Sequence, residues 1–334
     1  MRRVVWPMMP LVPLYGVVQA LNSAAYVRGW LRADRLEWPV VSVGNLSVGG
    51  AGKTPFVIAL ARALTERGWS VDVLSRGYGR TSDGVERVVA TDDPAARYGD
   101  EPWLIERRAQ VPVFIGRVRA AAGRLAEATR VDVGDERHVH LLDDGMQHRR
   151  LARDVEIVLL HRSDFQTTLL PAGRLREPLA AIERADFVVL REDDIDLKEQ
   201  ARRWMRADAH IWTVSRELEV PAPSGAAVVF SAIAHPEEFV EGLRRQGVAI
   251  AATRAWRDHH RFTDTDLTML CAAAVREGAR CFLTTEKDMA RLTKAQRARI
   301  EETAPLYTAT LTVRLRNLEL ALDALEQRLR RRSA

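Results

Sequence analysis

Five residues with the types and spacing needed to hold phosphate stand close together early in the chain: Gly49, Gly50, Gly52, Lys53 and Thr54, in the run VSVGNLSVGGAGKTP. Glycines let the backbone curl until successive N–H groups face phosphate oxygens, and a helix that starts just after them adds a favourable dipole. The expected loop comprises Ser47, Val48, Gly49, Gly50, Ala51, Gly52, Lys53 and Thr54. In it the lysine neutralises the β- and γ-phosphates and the threonine hydroxyl ligates magnesium. Ser47 stands where the GxxxxGK[ST] pattern has its first glycine, so the bare pattern is degenerate. A buried strand before it and an amphipathic helix after it restore its specificity.

Three acidic or imidazole pairs are the next candidates. In LLDDGMQH an apolar run ends in Asp143 and Asp144, at the expected C-terminal edge of a strand, where an aspartate holds a metal directly or through water. Neighbouring aspartates point in different directions, so one serves metal and the other substrate or structure, and either assignment is open. Asp100 and Glu101 in YGDEP are expected in a loop, where an acid can accept the proton of an attacking hydroxyl. His259 and His260 in RDHHRF lie beside Asp258, an arrangement that suits an acid-oriented imidazole; adjacent histidines face apart, which argues against a metal pair.

Short β-branched runs alternating with helical stretches must carry these groups, the pattern of an α/β protein with parallel strands. Strands are expected at residues 40–43, 71–74, 111–115, 139–142, 155–160 and 187–190, with helices after the loop and over 118–129. The segment EVPAPSG, ending at Gly225, breaks every periodicity. The rhythm then restarts with strands at 227–230, 248–252 and 281–284 and helices over 237–245, 264–277 and from Asn317 onward. Three regions are expected: an apolar segment over 1–30, a core over 31–216 and a smaller lobe over 226–334.

Composition sets the class. The 334 residues, 47% apolar and 28% charged, suit a globular chain with two cores, and the net charge of +5 suits an anionic partner. Cys271 and Cys281 lie far from any CxxC spacing, which points to a reducing compartment without disulfides or a zinc cluster. Residues 4–26 are strongly apolar behind Arg2 and Arg3, but Pro7, Pro10 and Pro13 interrupt them and count against a signal peptide or a spanning helix. An interfacial helix lying in a bilayer surface is the expectation, with an ordinary buried helix the alternative.

Taken in order, VGNLSVGGAGKTP, SRGYGR at 75–80, GDEP at 99–102, DDGMQHRRLARDVEIVLL, LPAGRLREP at 170–178, RDHHRF and TTEKD at 284–288 resemble the tetraacyldisaccharide 4′-kinase family, the lipid A 4′-kinases of Gram-negative bacteria. The resemblance runs over nearly the whole chain. It implies a P-loop α/β/α sandwich with a smaller α/β/α lobe and a membrane-associating N-terminal helix. It also implies ATP- and Mg2+-dependent phosphorylation of the 4′-hydroxyl of an acylated glucosamine disaccharide 1-phosphate, at the cytoplasmic face of the inner membrane. Under it Asp100 is the general base, His259 (with His260 as fallback) orients it across the cleft, and Lys53 neutralises phosphate. Asp143, Asp144 and Glu177 contact metal or substrate, and Arg76, Gln147, His148 and Arg176 line the site.

A kinase for another membrane-bound sugar is the nearest alternative. A GTPase switch needs [NT]KxD, and in TTEKD Lys287 and Asp288 are adjacent. No recognition motif or aromatic and basic stripe points to nucleic acid, and no obligate protein partner is expected.

Overall fold

A computed structural model describes residues 5–129, 137–221 and 225–333. Arg2, Arg3 and residues 222–224 of the expected linker lie outside them. Twelve strands form one sheet. In chain order they are β1 (Val40–Asn45), β2 (Trp69–Ser75), β3 (Glu86–Arg87), β4 (Val113–Ile115), β5 (Arg137–Asp143), β6 (Val155–Leu159), β7 (Phe187–Arg191), β8 (His210–Glu219), β9 (Ala227–Ser231), β10 (Ile250–Ala255), β11 (Cys281–Thr285) and β12 (Leu306–Leu315). Across the sheet the order is β10-β9-β11-β12-β8-β7-β6-β1-β5-β2-β4-β3.

All pairings are parallel except β3 with β4 and β12 with β8. Strand β1 lies between β5 and β6, so the chain winds away from it in both directions. The crevice beyond its C-terminal end is where open α/β sheets receive ligands. Helices cover both faces. The helix Lys53–Glu66 buries Phe56, Val57, Leu60 and Leu64 on one face, and Arg119–Thr129 packs Ala122 and Ala126 against Phe114 and Leu142 on the other. A sheet buried on both faces explains why its strands read as continuous apolar runs.

In the smaller lobe, β9 turns Val228 and Phe230 toward the helices Asp264–Arg276 and Lys294–Glu301, and Ala227 and Val229 toward Pro236–Arg245. Strands β8 and β12 form an antiparallel ribbon that carries the chain into this lobe and back. The helix expected from Asn317 to complete the smaller lobe belongs elsewhere. As Leu318–Ser333 it buries Leu322, Leu325 and Leu329 in the core of the P-loop lobe, beside Trp212 and Val313. The returning ribbon delivers it there.

The N-terminal segment forms a 3-10 turn, Trp6–Leu11, and the helix Val12–Val27, with Pro7 and Pro13 near their starts, where a missing N–H costs little, and Pro10 inside the turn. It is not the ordinary buried helix of the alternative reading, because Trp6, Leu14, Val17, Val18 and Leu21 are exposed. Among the described residues no helix is long and apolar enough to cross a membrane.

Candidate active site

The loop after β1 curls at Gly49 (φ +105°) and Gly52 (φ +80°), backbone conformations that favour glycine. Gly52 caps the helix Lys53–Glu66, so Lys53 and Thr54 open its first turn. Ser47 is buried, and its carbonyl and hydroxyl both accept from Asn45 Nδ2, at 2.9 and 3.4 Å, which ties the start of the loop to the end of β1. On the other side the guanidinium of Arg174 donates to the Val48 carbonyl at 2.8 Å.

Asn45, the last residue of β1, organises what surrounds the loop. Its Oδ1 accepts from Lys53 Nζ at 2.7 Å and from Arg176 Nη2 at 2.6 Å, and its carbonyl accepts from Gln147 Nε2 at 3.0 Å. Gln147 also donates to Glu177 at 3.1 Å, and Glu177 pairs with Arg184 at 2.7 Å.

Parallel pairing of β5 with β1 brings Asp143 to the same edge, opposite Val43. Asp143 is buried and accepts from the Ser75 hydroxyl at 3.1 Å. Burial pushes its carboxyl up to about 7, helped by the negative charges of Glu101 and Asp144. Asp144 has the opposite environment. It turns out of the strand at φ +51°, takes both Nη atoms of Arg176 at 3.0 and 2.8 Å, and lies 3.4 Å from Lys53 Nζ. Against the effect of burial, Lys53 and Arg176 hold it well below the usual carboxylate range. The neighbouring aspartates are thus split, one buried and short of positive charge, the other neutralised by two cations.

This donor set fits a hard divalent cation. The Thr54 hydroxyl is buried at the helix start, and Asp143 sits in an excess of negative charge that a cation would relieve. Among the described residues no three His, Cys, Asp or Glu side chains gather to hold a metal by themselves. Magnesium bound through one or two protein oxygens, with phosphates and water completing its shell, needs no such cage.

Asp100 and Glu101 do not lie in the expected loop. They form the first turn of the helix Asp100–Ala109, where the N-terminal dipole favours ionised carboxyls. Gly99 makes the entry at φ +95°, and a Cβ there would meet the Tyr78 carbonyl at 2.8 Å. Asp100 is buried, with Oδ2 3.5 Å from His259 Nδ1 of the smaller lobe. Burial alone would raise its pKa, but the His259 contact, Arg291 and Lys287 hold it well below the usual range. His260 faces away, its Nε2 2.9 Å from Asp266 and its ring stacked on Trp256, so the first histidine of the pair is the one that meets Asp100.

Arg76 and His148 lie close to Arg119, whose charge also reaches Asp143 and Asp144. Arg76 is exposed just after β2. The half-buried His148 is pushed down to about 4 by burial and by Arg119, Arg153, Arg76 and Arg150, which keeps its imidazole neutral. Arg119 is itself buried, and burial lowers it to about 10 while Asp143 and Asp144 counteract that. The result is a positive rim beside a carboxylate pair.

The LpxK family model, described as tetraacyldisaccharide-1-P 4′-kinase, matches residues 4–331. The chain belongs to this family. A tetraacyldisaccharide 4′-kinase of Koribacter versatilis is 40% identical, over 97% of this chain and 99% of its own. One from Halorhodospira halophila is 39% identical over 78% of this chain and 77% of its own. The crystal structure of LpxK from Aquifex aeolicus in complex with ATP has a TM-score of 0.74 at 30% identity, and covers 97% of this chain and 98% of that one.

In this member of the kinase family the residues singled out in the sequence gather in two groups. One surrounds the loop and the ends of β1 and β5; the other joins Asp100 to His259 across the lobes. Sequence reading passed over Asn45, Arg119 and Arg291. Asn45 is legible in hindsight as the polar residue that ends an apolar strand just before the loop. A buried arginine carries no local signal.

Proposed function

We propose that the chain transfers the γ-phosphate of ATP, with Mg2+, to the 4′-hydroxyl of a tetraacylated glucosamine disaccharide 1-phosphate. The carrying observation is that Lys53, Thr54, Asp143 and Asp144 share one sheet edge while the Asp100–His259 pair spans the lobes beside it. Family membership supports the same reaction. The 4′ oxygen attacks the γ-phosphorus, the bond to the β–γ bridging oxygen breaks, and ADP leaves. The hydroxyl proton passes to Asp100. Its neighbours keep that carboxylate ionised, hence always able to accept, and the loose transition state of phosphoryl transfer asks little more of a base.

His259 orients Asp100, and because it belongs to the other lobe the pair exists only while the lobes are docked, which limits transfer to water. Lys53 moves its charge onto the β- and γ-phosphates, and the loop N–H groups hold them. Thr54 and Asp143 would hold magnesium, which supplies charge neutralisation between those phosphates. Asp144, held by Arg176, together with Gln147 and Glu177, shapes the sugar side, and Arg76 and His148 face the anionic substrate. An acylated disaccharide stays in its bilayer, so the kinase works at the cytoplasmic face of the inner membrane, seated through the exposed apolar side of its N-terminal helix.

Transfer of labelled γ-phosphate to the tetraacylated disaccharide 1-phosphate in detergent micelles tests the reading. The native chain phosphorylates the lipid, and Lys53→Ala and Asp100→Ala each lose about 100-fold or more. Absence of transfer alongside Lys53-dependent ATP binding would keep the phosphate loop and overturn the substrate.

A further inference from the structure

The segment that begins the helix Glu286–Arg291 in the smaller lobe docks on the helix that begins with Asp100. Three ion pairs join them: Glu286 with Arg108 at 2.6 Å, Lys287 with Glu101 at 2.5 Å, and Arg291 with Asp100. The third differs from the others because it is buried, with 6% of the Arg291 side chain and 7% of the Asp100 side chain exposed.

Each guanidinium nitrogen of Arg291 has a partner. Nε donates to Asp100 Oδ2 at 3.0 Å, and Nη1 donates to the Ala232 carbonyl at 2.7 Å and to Asp288 Oδ1 at 3.0 Å. Nη2 reaches both Asp100 Oδ2 and, at 3.2 Å, His259 Nδ1. Asp288 is fully buried and held by the Ala232 N–H and the Thr285 hydroxyl, so the arginine is fastened from behind. It shares Asp100 Oδ2 with His259 Nδ1: the Asp100 contact raises the pKa of His259, and His259 Nε2 lies 3.9 Å from Asp258 Oδ1.

We propose that Arg291 is a positioning residue for phosphoryl transfer: lodged between Asp100 and His259 and fastened from behind by Asp288, it aims the Asp100 carboxylate and holds it beside the imidazole. The inference rests on Asp100 being the base. The charged groups facing Asp100 are Arg291, Lys287 and Asp288 on one helix, His259 and Asp258 in the loop after β10, and Glu101 on its own helix. Arg291 is the cation in direct, buried contact with it, so its removal lets Asp100 protonate at higher pH.

The test uses the full chain with Arg291→Ala, Arg291→Lys and Asp100→Asn, reading kcat, KM for ATP, the pH profile of kcat and the melting temperature. Arg291→Ala is expected to lose about 10- to 1,000-fold in kcat at neutral pH, with KM for ATP within about threefold. The acidic limb of its profile moves up by about one pH unit or more, free guanidinium restores part of kcat, and Arg291→Lys falls between. An unmoved acidic limb without guanidinium rescue, beside an inactive Asp100→Asn, overturns the role of Arg291 and leaves Asp100 as base. Full activity in Asp100→Asn overturns both.

Discussion

His140 shows at the residue scale how register alone creates a charged site. Pairing of β5 with β2 sets it opposite Asp72, and its Nδ1 lies 2.6 Å from Asp72 Oδ1 and its Nε2 3.4 Å from Glu127. Burial would push this imidazole down, but Asp72 and then Glu127 outweigh it and push it up to about 9. A folded pKa above the unfolded value near 6.5 stabilises the protein fully below that value, and the contribution disappears as pH rises through about 9. Denaturant unfolding of the native chain and His140→Gln at pH 6 and pH 10 measures it. The native chain should lose on the order of 3 kcal/mol more than the variant over that interval. Parallel losses in the two proteins would rule the linkage out.

The N-terminal helix carries its meaning as an element. Leu14, Val17, Val18 and Leu21 recur at helical spacing on one face, and that face is exposed. The opposite side is fastened near the site: Tyr15 donates to the Arg176 carbonyl at 2.9 Å, and Arg149 bonds Ser23. An apolar stripe facing outward on a helix fixed beside the candidate site is a geometry that suits a surface anchor, which would bring the mouth of the site to a bilayer. Replacing Leu14, Val18 and Leu21 together by glutamate should cut co-sedimentation with anionic phospholipid vesicles at least about tenfold, with melting temperature and ATP binding unchanged. Equal sedimentation of variant and native chain would remove this helix as the anchor.

At the scale of the whole molecule, the two lobes are tied by the β8–β12 ribbon, by the ion pairs of the Glu286–Arg291 helix, and by the C-terminal helix returning to the P-loop lobe. That helix also meets Trp69, whose indole donates to Glu326 at 3.2 Å, and Arg67, which pairs with Asp323 at 2.6 Å. Each of its buried leucines stabilises by about 2–5 kcal/mol, so losing all three matches the total stability of an ordinary domain. A chain ending after Arg316 should therefore fail in the P-loop lobe first, losing ATP binding and its cooperative melt. A truncated chain that binds ATP like the native one would show that the helix is dispensable.

The phosphate loop, the strand ending in Asp143 and Asp144, and most of the parallel strands were legible because each is a contiguous run whose chemistry is local: glycines that permit a turn, apolar residues that must be buried, acids where a strand stops. Strands β8 and β12 were not, since both are only partly buried and lack that apolar signature. The helix beginning at Asp100 hid behind Gly99 and Pro102, which read as a turn until the helix start they create is seen. What only the tertiary structure decided is which distant groups meet. Arg291 and Asp100 are 191 positions apart, and no local property of either announces the other. Their contact follows from the chain leaving the first lobe along one strand and docking a second lobe upon it. Sequence by itself determined the chemistry available to this protein; packing determined which charges are buried against each other, because ionisation depends on neighbours in space and not along the chain.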